Sequence, residues 1–492
     1  MRRLALATAA LASTFLAGVA MAQDWRAAAE QDLTAAHAAL RDNHPAAVVD
    51  QDSAAFRSWL DAGLAEARER LSQVNSPNAY AYVLRAYGNG FRDSNIELEP
   101  SWDRPAPWEA FAWPNFATAW RDGGYVVSWV KEGARRTPPL GATLVSCDGV
   151  PAEEFAARRL DGFEGDLQLE ADRVRTAPYL FWDRGNPFDG SMPSECQWRD
   201  GRRNRTVDVR MEPATPADRE AAYRASVFTP SANPLTVEAW NGGYWISVNS
   251  LSDSAPWDAF LAQLEQHRAQ IQAAPNVVLD LRGADGSSLN ATAFGYRVIN
   301  RLWTPEFVQG AQPSGGQLVH RATPANRQWF ADTLGRMQAD LHFANSNPGV
   351  VADVEATVAA YDAAIAAGQP SFTRPAPQPA AAEGATNPMQ GRVIVLTDGG
   401  CTGGCLALVD VLKALPNVQQ AGSATGADSI FIEPTVLPLP SNYGRLSYGH
   451  KAWIGRPRGS NEPHVPAADM TYTGNATDEA AVRAWVASRF GG

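Results

Sequence analysis

The first part of the chain is Ala-rich with helical periodicity, as in Leu33, His37 and Leu40 and then Phe56, Leu60 and Leu64. Asn43-His44-Pro45 and Asn75-Ser76-Pro77 break this pattern with turn formers, so 25–90 is expected to fold as three Ala-rich helices within a helical domain at 23–100. Between 101 and 212 the period shortens to two, and strands are expected at 125–129, 143–147 and 206–211. From 235 onward strands and helices alternate: strand 244–248, helix 255–272, buried strand 277–281, helix 291–302 and strand 393–396. That alternation predicts an α/β core assembled from 213–302 and 391–492. Residues 303–390 read as an insertion, helical at 351–367 and Pro/Ala-rich at 369–388, the latter expected as a flexible surface loop.

The run 393–418 carries the most chemical information. An apolar strand leads into Cys401-Thr402-Gly403-Gly404-Cys405, and Leu406, Val409, Leu412 and Leu415 follow at helical spacing. A strand, tight turn and helix in this order present one side chain at a helix N-terminus. Free N–H groups and the helix dipole stabilise developing negative charge there, and hydrolases place a Ser or Cys at such a turn.

Composition narrows the setting. Residues 1–22 combine Arg2 and Arg3, an apolar stretch and Ala20-Met21-Ala22, a signal-peptide pattern with cleavage expected after Ala22. No later run approaches the length of a membrane span, so the mature protein is expected to be soluble and secreted, in the periplasm. A formal charge of −11 argues against nucleic acid or anionic membrane as partner. Four cysteines in an exported chain fit oxidised pairs, with three connectivities open. The pairing adopted is Cys147 with Cys196 and Cys401 with Cys405, against the alternative of two free thiols one helical turn apart at 401 and 405. No His pair sits at ligand spacing beside them, and neither a metal nor a cofactor is expected. The 16 Trp residues are scattered, which reads as core packing rather than sugar stacking.

Three segments matter jointly: Gly90-Phe91-Arg92-Asp93-Ser94-Asn95, Asp280-Leu281-Arg282-Gly283-Ala284-Asp285-Gly286-Ser287, and the turn at 401–405. In this order, with a Gly-Ala-Thr-Gly-like segment at 422–426, they resemble the S41 family of tail-specific or C-terminal-processing serine peptidases, in particular its tricorn-like branch. Gly141 to Pro151 and the helical stretch after it resemble the strand, turn and helix of a PDZ domain, with a short β-rich module closed by a bridging disulfide as the alternative. The resemblance implies a helical domain, a PDZ-like module at 101–212 and a ClpP/crotonase-like core.

Transferred residue by residue, the family's machinery lacks its reactive groups. The nucleophile position is matched by Gly403 and the base position by Asn95, after Ser94. The other branch uses a Lys, and Gly426-Ala427-Asp428 has none. Glu462 matches a carboxylate that supports the base. Gly286 and Gly404 match the backbone donors of an oxyanion hole. The resemblance thus implies an impaired peptidase that binds peptides, unfolded protein segments or C-termini. Two alternatives stand beside it. One is an active peptidase using Thr402 with His464 or His450 as base; the other is a structural envelope protein. His464 is expected as an exposed loop residue, His44 as a helix-end residue, and His37, His267, His320 and His342 at helix or loop surfaces.

Overall fold

The computed structural model describes residues 24–101, 112–288, 290–311, 315–376, 384–456 and 458–490. The leader read at 1–22 lies outside them, as does 377–383 of the Pro/Ala-rich stretch.

The α/β core is built on a five-stranded sheet in the order Leu235–Trp240, Gly243–Val248, Asn276–Asp280, Arg392–Thr397 and Val418–Gly422. The first pair is antiparallel and the other three pairs are parallel. Successive strand residues point to opposite faces, and both faces are buried. Val277, Leu279, Val393 and Val395 pack under the helices Trp257–Ala273, Ala291–Leu302 and Gly404–Ala414. Val278, Ile394 and Leu396 pack on the other face with Val482 and Val486 of helix Glu479–Phe490. Each such aliphatic side chain removed from water contributes about 1.5–3 kcal/mol. Parallel pairing makes Asn276–Asp280 and Arg392–Thr397 end side by side, which delivers the loops that follow them to one place.

Three helices, Trp25–Asn43, Ala54–Arg70 and Pro77–Asn89, form the N-terminal layer. Asp24 and Ser76 cap two of them, and Pro45 stops the first. They pack on a second sheet, where the long strand Gly444–Ile454 pairs with Glu97–Pro100, Gln317–Arg321 and Phe431–Pro438. Leu33, Phe56, Leu84 and Tyr87 meet Phe431, Leu446 and Tyr448 in one cluster. A buried carboxylate fastens this contact: Asp32 accepts from the Tyr80 hydroxyl at 2.5 Å, the Ser441 backbone N–H at 2.9 Å and the Ser441 hydroxyl.

The β-rich part has strands Phe116–Arg121, Gly124–Val130, Thr143–Cys147, Glu195–Asp200 and Arg203–Asp208 in that order. Cys147 and Cys196 face each other across neighbouring strands and are bonded. Helix Ala152–Leu160 follows the short pair Cys147/Val150.

The structure departs from the expectations in several places. The strand expected at 206–211 lies at Arg203–Asp208, because the Gly201-Arg202 turn sets its start. The stretch at 369–388 is not all loop, since Ser371–Pro375 pairs with Gln317–Arg321 in the second sheet. The helix expected at 351–367 is Pro348–Ala366, and the insertion holds further helices at Pro305–Gly310, Pro324–Ala339 and Leu341–Ser346. His320 is not at the surface: it lies on a strand, stacked on Phe372 with centroids 4.8 Å apart. His464 is likewise buried.

Removing Asp32 deprives the Tyr80 and Ser441 hydroxyls and the Ser441 N–H of this acceptor. Asp32→Ala should therefore cost about 3 kcal/mol in urea unfolding. Asp32→Asn, which keeps an acceptor, should cost less.

Candidate functional site

The loops after the two central strands meet at the turn singled out in the sequence. Thr402–Gly403 pairs in parallel with Asp285–Gly286, in the register Asp285 to Thr402 and Gly286 to Gly403. Helix Gly404–Ala414 starts at once, with Gly403 as its N-cap at φ 51° and ψ −119°. That is a sharp, left-handed corner between strand and helix, the shape of a nucleophile elbow.

Backbone fills the space around this corner. A Cβ on Gly403 would stand 2.5 Å from the Gly286 carbonyl oxygen. A Cβ on Gly286 would stand 2.3 Å from the Gly404 nitrogen and 2.3 Å from the Thr402 oxygen. One on Gly404 would meet the Ala291 Cβ and the Thr292 nitrogen at 2.8 Å. The structure thus brings Gly286, Gly403 and Gly404 into mutual contact, and a disulfide between Cys401 and Cys405 spans the turn.

Asp398 ties the two loops together. Its Oδ1 accepts from the Gly283 N–H at 2.7 Å and the Gly400 N–H at 2.9 Å. Burial pushes this carboxyl up to about 6, against the opposing pull of those N–H groups and of Arg282. Arg282 itself is buried and makes a two-pronged contact with Asp280, at 2.9 and 2.7 Å, and another with Glu479 at 2.8 Å. The Asp-Leu-Arg-Gly segment is therefore a strand-end clamp in which charge is neutralised inside the fold.

Thr402 donates its hydroxyl to Asp285 Oδ1 at 3.1 Å. Among the described residues no imidazole hydrogen-bonds to it. His450 packs against Trp329 and Phe330 of the insertion, 4.2 and 4.9 Å between centroids, and burial depresses it to about 3. His464 places Nε2 3.0 Å from Asp410 Oδ1 on the elbow helix. His44, buried and stacked on Phe56, accepts from the Ala46 N–H and is likewise depressed to about 3.

The matched base position lies on the loop after the third helix, docked on the segment beyond Gly422. Ser94 donates to the Ala427 carbonyl at 2.8 Å and Asn95 to the Phe431 carbonyl at 2.8 Å. Gly426 in turn donates its N–H to the Cys401 carbonyl at 3.0 Å, so the loop sits beside the elbow. Glu462 is exposed and accepts from the Gly459 N–H at 2.7 Å, a bond within its own loop. Arg92 reaches Asp161 and Asp166 in the β-rich part, and Asn461 donates to the Arg92 carbonyl. A cleft of about 310 Å³ opens between these parts, lined by Arg85, Asp93, Ser94, Glu97, Asp166 and Asn461 among others. Burial pushes the Asp93 carboxyl up to about 6.

Two groups of residues were not foreseen. Asp285 and Asp398 stand in Asp-Gly sequences at the strand ends, a turn signal that could have marked them. The partly buried network of Asp410, Asp428, Arg456, Arg458 and His464 has no local signal, because the carboxylates at 410 and 428 lie well before the cationic segment 456–464 that meets them. Burial pushes the Asp410 carboxyl up, yet His464 and Arg458 outweigh it and hold the group below its ordinary value. Among the described residues no group of three or more His, Cys, Asp or Glu is placed to hold a metal ion.

Two predictions come from this geometry. Gly403→Ala, which combines a left-handed φ with a backbone oxygen in the way, should cost about 2 kcal/mol or more in urea unfolding. Asp398 has its carboxyl raised on folding, so its contribution to stability is present below about pH 4 and is lost as pH rises through about 6. Asp398→Asn keeps an acceptor and does not ionise, so its melting temperature relative to wild type should rise between pH 4 and 6.5.

No protein-family model and no curated protein matches the chain. Among solved structures, mature CPAF aligns at a TM-score of 0.58 and 13% identity, over 95% of this chain and 96% of that one. Mature CPAF complexed with lactacystin aligns at 0.59 and 14%, over 95% and 97%. Tricorn protease aligns at 0.38 and 11%, over 95% of this chain and 37% of its own. At such identities the likeness to CPAF is one of fold, and it runs nearly end to end: the chain has the multidomain fold of the S41-type peptidases.

Proposed function

We propose that this protein is an exported relative of the S41-type peptidases that has lost hydrolysis and binds extended peptides or protein C-termini through its PDZ-like β-rich module and the adjoining cleft. The observation that carries this reading is the elbow. Its corner position is Gly403, with no reactive group and with the Gly286 carbonyl where a Cβ would stand. At the matched base position Asn95 has no proton-accepting imidazole, and its amide N–H is committed to Phe431. Gly286 and Gly404, matched to the backbone donors of an oxyanion hole, stand at the corner itself, where peptide would have to compete with the pairing between the two loops for their N–H groups. Peptide would be gripped by adding a strand to a sheet edge. Export rests on the leader pattern and the two disulfides, which suit an oxidising compartment. Among the described residues no helix is long and apolar enough to cross a membrane.

One observation favours a second reading, an active threonine peptidase: the Thr402 hydroxyl already donates to a carboxylate, Asp285.

The test is hydrolysis and binding of casein and a mixed peptide library by the purified mature protein, beside Thr402→Ala. Saturable binding without hydrolysis, unchanged in Thr402→Ala, is expected. Hydrolysis that disappears in Thr402→Ala would establish the second reading. Neither binding nor hydrolysis would leave only a structural role.

A further inference from the structure

The chain is acidic, yet the turn end of the hairpin built by Glu195–Asp200 and Arg203–Asp208 carries Arg199, Arg202, Arg203 and Arg205 against Asp200, with Glu195 and Asp208 paired at its far end and Arg210 just beyond. Arg205 lies 4.0 Å from Asp200 and Arg210 3.5 Å from Asp208, both exposed contacts of little strength. Arg199, Arg202 and Arg203 have no acidic partner among the described residues. An excess of cations over counter-charges, on a protein of formal charge −11, is a local field of reversed sign.

The same hairpin ends its sheet. Arg203–Asp208 pairs on one side with Glu195–Asp200 and is the last strand of the order. The two-residue turn Gly201-Arg202 makes Asp200 and Arg203 the closing pair, which exchange backbone bonds. Alternation then aims the backbone groups of Arg203, Arg205 and Val207 inward. The Val209 N–H continues this series, donating to the Ser194 carbonyl at 2.8 Å. Asn204, Thr206 and Asp208 direct their N–H and C=O groups away from the sheet, and no described segment takes them up. Five of the strand's six residues are exposed, and only Val207 is half-buried.

We infer that this edge is a docking strand for an acidic, extended polypeptide segment. The outward backbone groups would supply the ladder, and Arg199, Arg202, Arg203 and Arg205 would supply the charge complement. The inference does not depend on the chemistry of the elbow, since the hairpin contains none of its residues, and it holds whether or not the protein hydrolyses peptides. A guard function is the competing account of the same arginines, because charged side chains on an edge also discourage strand pairing.

The experiment uses a fluorescein-labelled peptide of alternating glutamate and valine, titrated with the mature protein and read by polarisation. Its lysine counterpart and a version N-methylated at alternate residues serve as controls. Binding of the acidic peptide alone is expected, weakening about tenfold when NaCl rises from about 50 to about 300 mM. Arg203→Glu/Arg205→Glu should lose at least about tenfold in affinity. Thr206→Pro removes an outward N–H without breaking the internal ladder, and should lose several-fold with the charges intact. Circular dichroism of both variants checks folding, and the Cys147–Cys196 bridge anchors the base of the hairpin. Acidic-peptide binding that survives both Thr206→Pro and N-methylation would reduce the contact to diffuse attraction and overturn strand docking. Absence of binding to the wild-type protein, with aggregation of an Arg203→Val/Arg205→Val variant, would identify the arginines as a guard and equally overturn it.

Discussion

Three glycines from two loops, Gly286, Gly403 and Gly404, lie backbone against backbone at the strand–helix corner, and the arrangement of the surrounding core follows from that close approach. The approach itself is produced at a distance. Parallel register brings the ends of Asn276–Asp280 and Arg392–Thr397 level, Asp398 ties the two departing loops through backbone N–H groups, and the Asp280–Arg282 clamp holds the first loop's root. The absence of three β-carbons lets the loops close the remaining gap. A disulfide across the turn then limits how far the corner can relax.

Around this corner the rest of the protein is organised as a set of braces. The loop bearing Ser94 and Asn95 belongs to the helical layer by chain order, yet it is held by Ala427 and Phe431. That segment is in turn held by the ionic network joining Asp428 to Arg456 and Arg458, and Asp410 of the elbow helix to Arg458 and His464. Arg92 extends the chain of contacts to the β-rich part. Breaking one partner of such a partly buried network leaves the others with less compensation for their burial, so the braces are coupled to one another. The groups at the candidate site are thus positioned from three regions of the chain by charge and by main-chain bonds.

Much of this was legible in the sequence where the signal is local. Periodicity located the helix Ala291–Leu302 to the residue and the core strands to within a residue or two, because those segments are bounded by turn formers and buried on their expected faces. The two Cys pairs were legible as well: one spans neighbouring strands and the other a single turn. What was not legible depends on partners remote in sequence. Ser371–Pro375 reads as loop because its Pro-rich surroundings carry no strand signal, and it is a strand only because Gln317–Arg321 offers it an edge. His464 reads as an exposed loop residue, whereas Asp410, more than fifty positions earlier, draws it inward. The contact between Gly403 and Gly286 has the same character, since neither residue announces the other.

That contact also constrains how this sequence can change over time. A serine at 403 requires the segment at 285–287 to retreat first, while a retreat without the serine leaves an empty gap in a packed interior. Each step alone yields a less stable protein, so the corner acts as a ratchet: descendants of this chain can vary around the three glycines far more readily than through them.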